Sequence, residues 1–336
     1  MAVNNNKAGR KSKVDTELQK ILLNKKANII VIGVGGAGNN TITRMKQIGV
    51  DGTKTVAVNT DAQDLLFTNA DEKLLIGKEI TRGLGTGGNP TIGEQAAKES
   101  KEEIETLLSG YHMAFITCGL GGGTGTGAAP IITQIARRMG LLTIAVVTTS
   151  FSMEGIHRKN NSEDGLAKLL TGADTTITVP NDKLLEIVPD VSINTAFQVA
   201  DDILVNAVKG IAELITKPGL INLDFADIRA VMQDKGLALI GIGESDKQNR
   251  ATESVEKALN NPLLCYDIEG AAGALINVTG SSVTIQEANQ IVEAVGNRLS
   301  PDAKLIWGTQ IDKSLKDTVR TLVVITGVNS GELLKK

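Results

Sequence analysis

The stretch Cys118-Gly119-Leu120-Gly121-Gly122-Gly123-Thr124-Gly125-Thr126-Gly127-Ala128-Ala129-Pro130 lies between an apolar run and a pattern typical of a helix. The run before it, residues 114–117, indicates a buried strand, and Pro130 with the apolar residues after it indicates a helix start. Five glycines between positions 121 and 127 allow positive φ angles and close approach of the backbone to a ligand. Because N–H groups and a helix N-terminus then converge beside threonine hydroxyls, this turn predicts a phosphate cradle rather than a plain hinge.

Composition and length limit the class of protein. The chain has 336 residues, 41% of them hydrophobic, which is enough for two domains with real cores. The net charge of −3 provides no basic field for a nucleic-acid partner, and 2% aromatic residues argue against stacking surfaces for single strands. Cys118 and Cys265 are isolated and His112 and His157 lie far apart, so neither a disulfide framework nor a zinc site is indicated.

The N-terminal region shows no targeting or membrane signal. No apolar run reaches about 18 residues, and no signal sequence is present, so we expect a cytoplasmic protein without direct membrane insertion. Residues 1–27 predict a basic tail and a short amphipathic helix built on Leu18, Ile21 and Leu22. This helix is expected to dock on the protein, and a membrane-surface role is the alternative.

Further segments repeat the order of apolar strand, polar turn and helix. Residues 29–32 precede a glycine-rich turn at 33–38 and a helix from about Thr41, and residues 56–58 end in Asn59-Thr60-Asp61. A third glycine-rich segment, 81–90, precedes a helix from about Thr91, with a mobile surface loop as the alternative. Strands at 142–147 and 175–179 end in polar loops as well. Because parallel strands open on one edge of a sheet, these turns predict a single ligand site in a Rossmann-like parallel sheet.

The glycines at 33, 35 and 38 alone fit a dinucleotide-binding turn, with Asp61 as the acid that would hold a ribose. This supports an NAD(P)-dependent oxidoreductase as an alternative function. The second glycine loop, at 121–127, weakens that interpretation because a dinucleotide site needs one phosphate-binding turn. The G-x-x-x-x-G-K-[ST] motif is absent from the sequence, which excludes a P-loop nucleoside triphosphatase.

The second half of the chain begins with a long helix. Residues 192–216 are apolar nearly all round the helix, which predicts burial between two packed bodies. A second α/β region follows, with strands at about 236–243, 272–279, 303–310 and 319–326 and helices near 250–260 and 284–298. We therefore expect a tail and short helix at 1–27, a first domain at 28–191, a central helix at 192–218, a second domain at 219–331 and a tail at 332–336.

These blocks together resemble the FtsZ family of prokaryotic, tubulin-like cell-division GTPases from about residue 28 to 331. The blocks that carry the resemblance are Gly35-Gly36-Ala37-Gly38-Asn39, Asn59-Thr60-Asp61, Thr81-Arg82-Gly83 with Asn89-Pro90, Gly121 through Gly127, Glu154 with Arg158, Pro180-Asn181-Asp182, and Asn222 through Asp227. Thr149-Ser150 departs from the lysine and proline usual in the family. The chain ends at Lys336 without the family's usual linker and terminal peptide, so either it is truncated or it is tethered otherwise.

The resemblance implies a GTPase domain, a central helix and an activation domain with a mixed sheet. It also implies binding of GTP or GDP with Mg²⁺, head-to-tail self-assembly, and hydrolysis of GTP at the subunit interface. The implied role is cell division at mid-cell, with membrane-tethering and division proteins as further partners. A paralogue that does not hydrolyse GTP or does not form the division ring is the alternative within the family.

The resemblance also assigns residues to the site. The phosphates are assigned to Gly36, Ala37, Gly121, Gly122, Gly123, Thr124, Gly125 and Thr126, with Gly87 and Gly88 near the γ-phosphate, and Gly35 is assigned to the nucleotide site. The ribose side is assigned to Glu154 and Arg158, guanine to Asn39, Asn181, Phe197 and Asp201, and further nucleotide contacts to Asn59 and Asp61. The catalytic group, supplied to a neighbouring subunit, is Asn222, Asp224 and Asp227.

Chemistry supports some of these assignments independently. Asp201, inside an otherwise apolar helix, needs a buried partner, and the guanine edge offers two donors. Phe197 fits stacking on a base or, equally, core packing. Asp224 and Asp227 follow the far end of a helix of about 25 residues, roughly 37 Å long, so they cannot reach their own nucleotide. The alternative is that they cap a helix at 226–233.

Overall fold

A computed structural model describes residues 27–187, 191–217, 219, 221, 223–266, 268 and 270–329. The predicted helix containing Leu18, Ile21 and Leu22 and the predicted tail at 332–336 lie outside these residues. In the part of the chain that is described, no helix is long and apolar enough to cross a bilayer.

The first unit alternates strands and helices. Its strands are β1 (Ile29–Val34), β2 (Thr53–Asn59), β3 (Glu72–Leu75), β4 (Met113–Gly119), β5 (Leu142–Thr148) and β6 (Thr175–Val179). Its helices are α1 (Gly35–Ile48), α2 (Ala62–Phe67), α3 (Lys78–Thr81), α4 (Pro90–Glu99), α5 (Lys101–Leu108), α6 (Thr124–Arg138), α7 (Ile156–Gly172) and α8 (Asn181–Ile187), with a short 3-10 turn at Ser152–Glu154. The strands predicted around both glycine turns are confirmed.

The long central helix is confirmed as α9 (Ile193–Thr216). The second unit contains α10 (Phe225–Met232), β7 (Gly236–Ser245), α11 (Arg250–Leu259), β8 (Gly273–Gly280), α12 (Ile285–Gly296), β9 (Lys304–Ile311), a 3-10 turn at Lys313–Leu315 and β10 (Val319–Thr326). Its four predicted strands and two predicted helices are confirmed. α10 corresponds to the helix that the sequence offered only as the alternative for the Asp224–Asp227 segment.

The strands of both units form one sheet in the order β3-β2-β1-β4-β5-β6-β7-β10-β8-β9. From β3 to β7 every neighbouring pair is parallel, whereas β10 runs antiparallel to both β7 and β8. The units join through a short parallel pairing of 175–177 with 236–238. At this junction the carbonyl of Asp174 accepts hydrogen bonds from the N–H groups of Lys235 and Gly236. The mixed sheet of the second unit thus continues the parallel sheet of the first.

The alternation of side chains along the strands produces a core on each face of the sheet. Ile29 and Val31 face a core that contains α1, α9, α10 and apolar residues from β7, β8 and β10. Ile30 and Ile32 face a separate core under α4, α5, α6 and α7. A third core lies between the second unit's sheet and its helices α11 and α12. Since α9 contributes to the core shared by both units, it fixes one unit against the other.

Two helices begin earlier than the sequence predicts. α1 begins at Gly35 instead of about Thr41, and α6 begins at Thr124, with Pro130 inside the helix instead of at its start. The predictions were wrong because glycines were treated as loop residues, whereas tertiary packing overrides their weak helix propensity here. Of the five glycines at 121–127, only Gly121 has a positive φ, +109°.

The glycines of α6 are needed for close packing. A Cβ atom at Gly127 would lie 1.9 Å from the carbonyl oxygen of Pro90, the first residue of α4. A Cβ atom at Gly123 would lie 2.0 Å from Oγ1 of Thr86. By contrast, a Cβ atom at Gly122 would have no neighbour within 4 Å. Glycine is therefore required for packing at positions 123 and 127 but not at position 122.

We predict that Gly127→Ala lowers the free energy of unfolding by about 3 kcal/mol, because the backbone of α4 cannot move aside as a flexible side chain would. Thermal unfolding without added ligand measures the effect. Gly122→Ala, the matched control in the same glycine run, should melt within about 1 °C of the natural chain. Equal melting temperatures for the two variants would contradict the packing role.

Candidate functional site

A cavity of about 770 Å³ opens at the carboxyl edge of the parallel strands. β1, β4 and β5 reach its wall through Val34, Gly119 and Thr148. The other residues that line it are Gly35, Gly36, Ala37, Asn40, Thr86, Leu120, Gly122, Gly123, Thr124, Gly125, Glu154, Arg158, Asn181, Asn194, Phe197, Gln198, Ala200, Asp201 and Leu204. The cavity thus lies where open α/β sheets bind ligands.

Two strand-to-helix turns meet at one end of the cavity. Gly35 has a φ of +73°, and a Cβ atom there would lie 2.9 Å from the backbone nitrogen of Gly125. α1 begins at Gly35 and α6 at Thr124, and the first N–H groups of a helix have no partner within that helix. Two helix N-termini therefore reach the wall of one cavity, which favours an anion such as phosphate.

Threonine hydroxyls support this end of the cavity. Oγ1 of Thr124 lies 2.7 Å from Oγ1 of Thr60 and 3.5 Å from Oγ1 of Thr86. The N–H of Gly121 donates to Oγ1 of Thr126, 2.9 Å away, and so closes the turn that carries the glycines. The turn is therefore held in shape by hydrogen bonds, with Thr86 and Thr124 on the cavity wall.

A charged pair forms a second side of the cavity. Glu154 accepts hydrogen bonds from the N–H of Phe151 at 2.8 Å and from the guanidinium of Arg158. Ser152, two residues before Glu154, donates its N–H at 2.9 Å and its hydroxyl to the carboxylate of Asp182. Among the described residues that line the cavity, Arg158 is the only basic one, whereas Glu154 and Asp201 are acidic. An anion in this cavity would thus be held mainly by backbone N–H groups.

The N-terminal half of α9 forms the third side. Asn194, Phe197, Gln198 and Asp201 line the cavity at helical spacing. The Phe197 ring is 42% exposed and meets the buried ring of Phe151 edge to face, with 5.3 Å between centroids. Since the ring is not enclosed by the core, it is available for stacking on a flat ligand.

Two polar side chains of the wall are poorly satisfied by the protein. Burial raises the pKa of Asp201 to about 6, and the charge of Asp202 adds to the rise, while a 2.8 Å hydrogen bond from Thr41 and the charge of Arg44 oppose it. The side chain of Asn181 is buried, and its Oδ1 has no hydrogen-bond partner. Hydrogen-bond donors of a ligand bound in the cavity would satisfy these groups.

Most, but not all, of the predicted binding residues lie on the wall. Asn39, Asn59, Asp61, Gly87, Gly88, Gly121 and Thr126 do not line the cavity. Asn39 and Asn59 donate their amides to Oδ2 of Asp64, at 3.1 and 2.6 Å, and Asp61 caps α2 through the N–H groups of Gln63 and Asp64. These residues support the turns that carry the site, whereas Gly87 and Gly88 lie in an open turn with positive φ beside Thr86.

The sequence also missed residues of the wall. Asn40 lines the cavity in place of Asn39, because a helix that begins at Gly35 puts Gly36 and Asn40 on one face. Asn194 and Gln198 lie three residues before Phe197 and Asp201, so the helical spacing of these four residues is a signal that would have found them. Thr86 and Thr148 carried no such signal.

The residues predicted to be catalytic lie away from the cavity. The 24 residues of α9 span about 36 Å. Its N-terminal half carries the cavity residues, and Asp224 lies beyond its C-terminal end. Asp224 caps α10 by accepting from the N–H of Asp227 at 2.8 Å, and Asp227 accepts from the N–H of Asp224 at 3.2 Å. The helix cap that the sequence offered as the alternative is therefore present. Asn222 lies outside the described residues.

Comparisons with known proteins agree with this architecture. The model of the tubulin/FtsZ family GTPase domain matches residues 28–189, and that of the FtsZ family C-terminal domain matches residues 236–329. Cell division protein FtsZ 1 of Pyrococcus furiosus is 60% identical over 319 residues, which cover 95% of this chain and 86% of that protein. The same-named protein of Methanocaldococcus jannaschii is 58% identical over 317 residues, 94% of this chain and 87% of that protein.

A solved structure supports the same relationship. The empty FtsZ dimer of M. jannaschii superposes with a TM-score of 0.91 at 58% identity, covering 95% of this chain and 93% of that chain. Similarity at this level of identity extends over both units and the central helix.

We predict that Asp201→Asn stabilises the ligand-free protein at neutral pH. The pKa of Asp201 in the folded protein, about 6, exceeds the ordinary value of 3.8, so ionisation of this carboxylate opposes folding. The resulting loss of unfolding free energy is absent below the ordinary pKa and grows as pH rises from there to about 6. Above pH 6 the gain should reach about 2 kcal/mol, because asparagine can still accept from Thr41 without a buried charge. Thermal unfolding between pH 4.5 and 8 measures this, and a gain that does not change with pH would contradict it.

Proposed function

Because the chain belongs to the FtsZ branch of the tubulin/FtsZ family of GTPases, we propose that it binds GTP in the cavity of about 770 Å³ and assembles head to tail with copies of itself. GTP is then hydrolysed between neighbouring subunits. The observation that carries this proposal is the separation of the nucleotide cavity from Asp224 and Asp227 at opposite ends of α9.

The two ends of the cavity suit the two ends of the nucleotide. The phosphates lie against the N-termini of α1 and α6, where Gly35, Gly36 and the 121–126 turn contribute N–H groups or hold them in place. Guanine lies against α9, where Phe197 stacks and Asp201 accepts from the base. Asn40, Asn181, Asn194 and Gln198 complete the polar surroundings of the base and ribose. The dinucleotide-binding alternative is disfavoured because both glycine turns share this one cavity.

Mg²⁺ fits the donor set at the phosphate end. Thr60, Thr86 and Thr124 cluster there and offer hard oxygen atoms of the kind that Mg²⁺ prefers. Among the described residues, no group of three or more His, Cys, Asp or Glu side chains forms a metal site. The ion would then be held mainly by phosphate oxygens and water, with the Thr86 and Thr124 hydroxyls nearby. When bound, it neutralises charge on the phosphates during transfer.

A neighbouring subunit completes the site. Three exposed apolar side chains lie within two residues of the cavity wall along the chain and are called its rim: Leu84 is two residues before Thr86, Met153 precedes Glu154, and Ile156 is two residues before Arg158. Such side chains are suited to burial against another protein surface. A copy placed with its α10 end on this rim would bring Asp224 and Asp227 to the γ-phosphate, and the same contact would repeat along an open filament.

In that arrangement the carboxylates orient and polarise the attacking water. Phosphoryl transfer needs little covalent participation from the protein, so correct positioning of the water and neutralisation of charge account for most of the catalysis. We further propose that the filament acts in cell division, as the names of the relatives state for those proteins, at the division site and with membrane-tethering and division proteins as partners. A paralogue without hydrolysis would bind GTP but release no phosphate.

Guanine selectivity should depend on Asp201 and on pH. GDP is expected to bind at least about 100-fold more tightly than ADP at pH 7.5, since adenine leaves the carboxylate without a donor. Affinity for GDP should fall about tenfold between pH 7 and pH 5 as Asp201, whose pKa is about 6, takes up a proton and stops accepting from the base. Calorimetric titration measures both effects.

The matched control for that titration is Asp201→Asn, which should bind GDP weakly and with little dependence on pH beyond that of the phosphates. Similar affinities for GDP and ADP, or a natural chain whose pH dependence equals that of Asp201→Asn, would rule out the assigned role of Asp201.

Two complementary variants test the shared site. Asp227→Ala keeps the cavity but should lose at least about 90% of phosphate release, because the neighbour's γ-phosphate no longer meets the carboxylate pair. Gly122→Leu fills the phosphate end of the cavity from a position where a side chain meets no neighbour, so it should fold but bind no GTP. Mixed in equal amounts, the variants should hydrolyse GTP well above the sum of the separate rates.

Each variant alone and the natural chain diluted below its assembly concentration serve as controls. A mixture no more active than its parts, or full activity of Asp227→Ala alone, would show that the site is not shared between subunits.

A further inference from the structure

An aromatic contact joins the Asp224–Asp227 segment to the opposite end of the strand that carries the glycine loop. Phe225 lies directly after the N-cap residue of α10 and is half-buried against the core shared by both units. Its ring meets the ring of His112 edge to face, with 6.3 Å between centroids. The guanidinium carbon of Arg229, one turn along α10, lies 5.1 Å from the centroid of the same ring. Phe225 therefore lies between two planar groups: the guanidinium of Arg229 in its own helix and the imidazole of His112, which precedes β4.

His112 provides a rigid wall for this contact. It is the residue before β4, and its N–H donates to the carbonyl of Asn28 at 2.9 Å, while its own carbonyl accepts from the N–H of Leu142. The imidazole is fixed as well, because Nδ1 accepts from the N–H of Asn28 at 3.1 Å. The backbone before β1 and that at the start of β5 thus hold the ring that Phe225 touches.

Arg229 forms the other wall. Among the residues that the structure describes, no carboxylate lies within ion-pair distance of its guanidinium, which contacts the Phe225 ring instead. A guanidinium over an aromatic face is attracted by the negative face of the ring. The contact therefore ties the second turn of α10 to its first residue, next to both carboxylates.

We propose that Phe225 is a positioning residue for hydrolysis: clamped between His112 and Arg229, it sets the direction in which Asp224 and Asp227 face the neighbouring subunit. The reciprocal cap fixes the two carboxylates relative to each other, and Ile228, Val231 and Met232 hold α10 on the core shared by both units. The contact of Phe225 with His112 adds a second attachment to the first unit, at the turn of α10 that carries the carboxylates. This inference rests on the proposed function, because it assigns the pair its role in a neighbour's site.

The test compares Phe225→Leu, which keeps an apolar side chain but removes the ring, with Phe225→Tyr, which keeps the ring. Turnover is measured per assembled subunit after sedimentation, together with GDP affinity and the assembly concentration. Phe225→Leu should lower kcat about tenfold while the other two quantities change less than about twofold, because a small displacement of catalytic groups costs rate and not ground-state binding. Phe225→Tyr should restore most of the rate.

His112→Asn approaches the same contact from the first unit, and it keeps an acceptor for the N–H of Asn28 while removing the ring. It should lower kcat in the same way, and the double variant with Phe225→Leu should be no slower than the slower single variant, since both remove one contact. If Phe225→Leu is unstable, His112→Asn alone decides. Unchanged kcat, a fall that only follows lost assembly, or additive effects would overturn the positioning role. Full turnover by Asp227→Ala would instead overturn the shared site itself.

Discussion

The structure depends on direct backbone contact between two strand-to-helix turns. A Cβ atom at Gly35 would lie 2.9 Å from the nitrogen of Gly125, and one at Gly125 would lie 2.9 Å from the carbonyl oxygen of Gly119. A side chain at Gly35 would separate α1 from α6, and one at Gly125 would push α6 away from the end of β4. Because both helices begin on the cavity wall, the contact that packs the first unit also brings two helix N-termini to one ligand. Packing and phosphate recognition therefore impose the same requirement on the same residues.

A site built in this way divides recognition between backbone and side chains. The phosphate end needs few cations, and among the described lining residues Arg158 is the only one. The base end is formed by side chains of α9, which also crosses the core that both units share. Since the helix is packed along most of its length against one continuous sheet, the cavity and Asp224 belong to one body, with the cavity at the N-terminal half of α9 and Asp224 beyond its C-terminal end. This fixed separation makes a single subunit complementary to the next one.

The sequence predicted the strands other than β3, the central helix and just over half of the cavity wall, because apolar periodicity and strand-end turns are local signals. It misplaced the starts of α1 and α6, since the packing that makes glycine helical, such as Gly127 against Pro90, is not visible in sequence. The early start of α1 also explains why Asn40 and not Asn39 faces the cavity. Likewise, the joining of both sheets through 175–177 and 236–238 is a long-range pairing with no local signature.

The Asp224–Asp227 pair shows that a structural role and a chemical role need not be alternatives. In the cap, Oδ1 of Asp224 and Oδ2 of Asp227 each accept one backbone N–H, and the structure assigns no partner among the described residues to the second oxygen of either carboxylate. A carboxylate has about four lone-pair sites, so the cap occupies a minority of them. Because these hydrogen bonds already restrict the conformations of both side chains, less conformational entropy is lost when the carboxylates meet a phosphate. Capping is thus a means by which the helix presents two oriented acceptors, rather than evidence against their participation in hydrolysis.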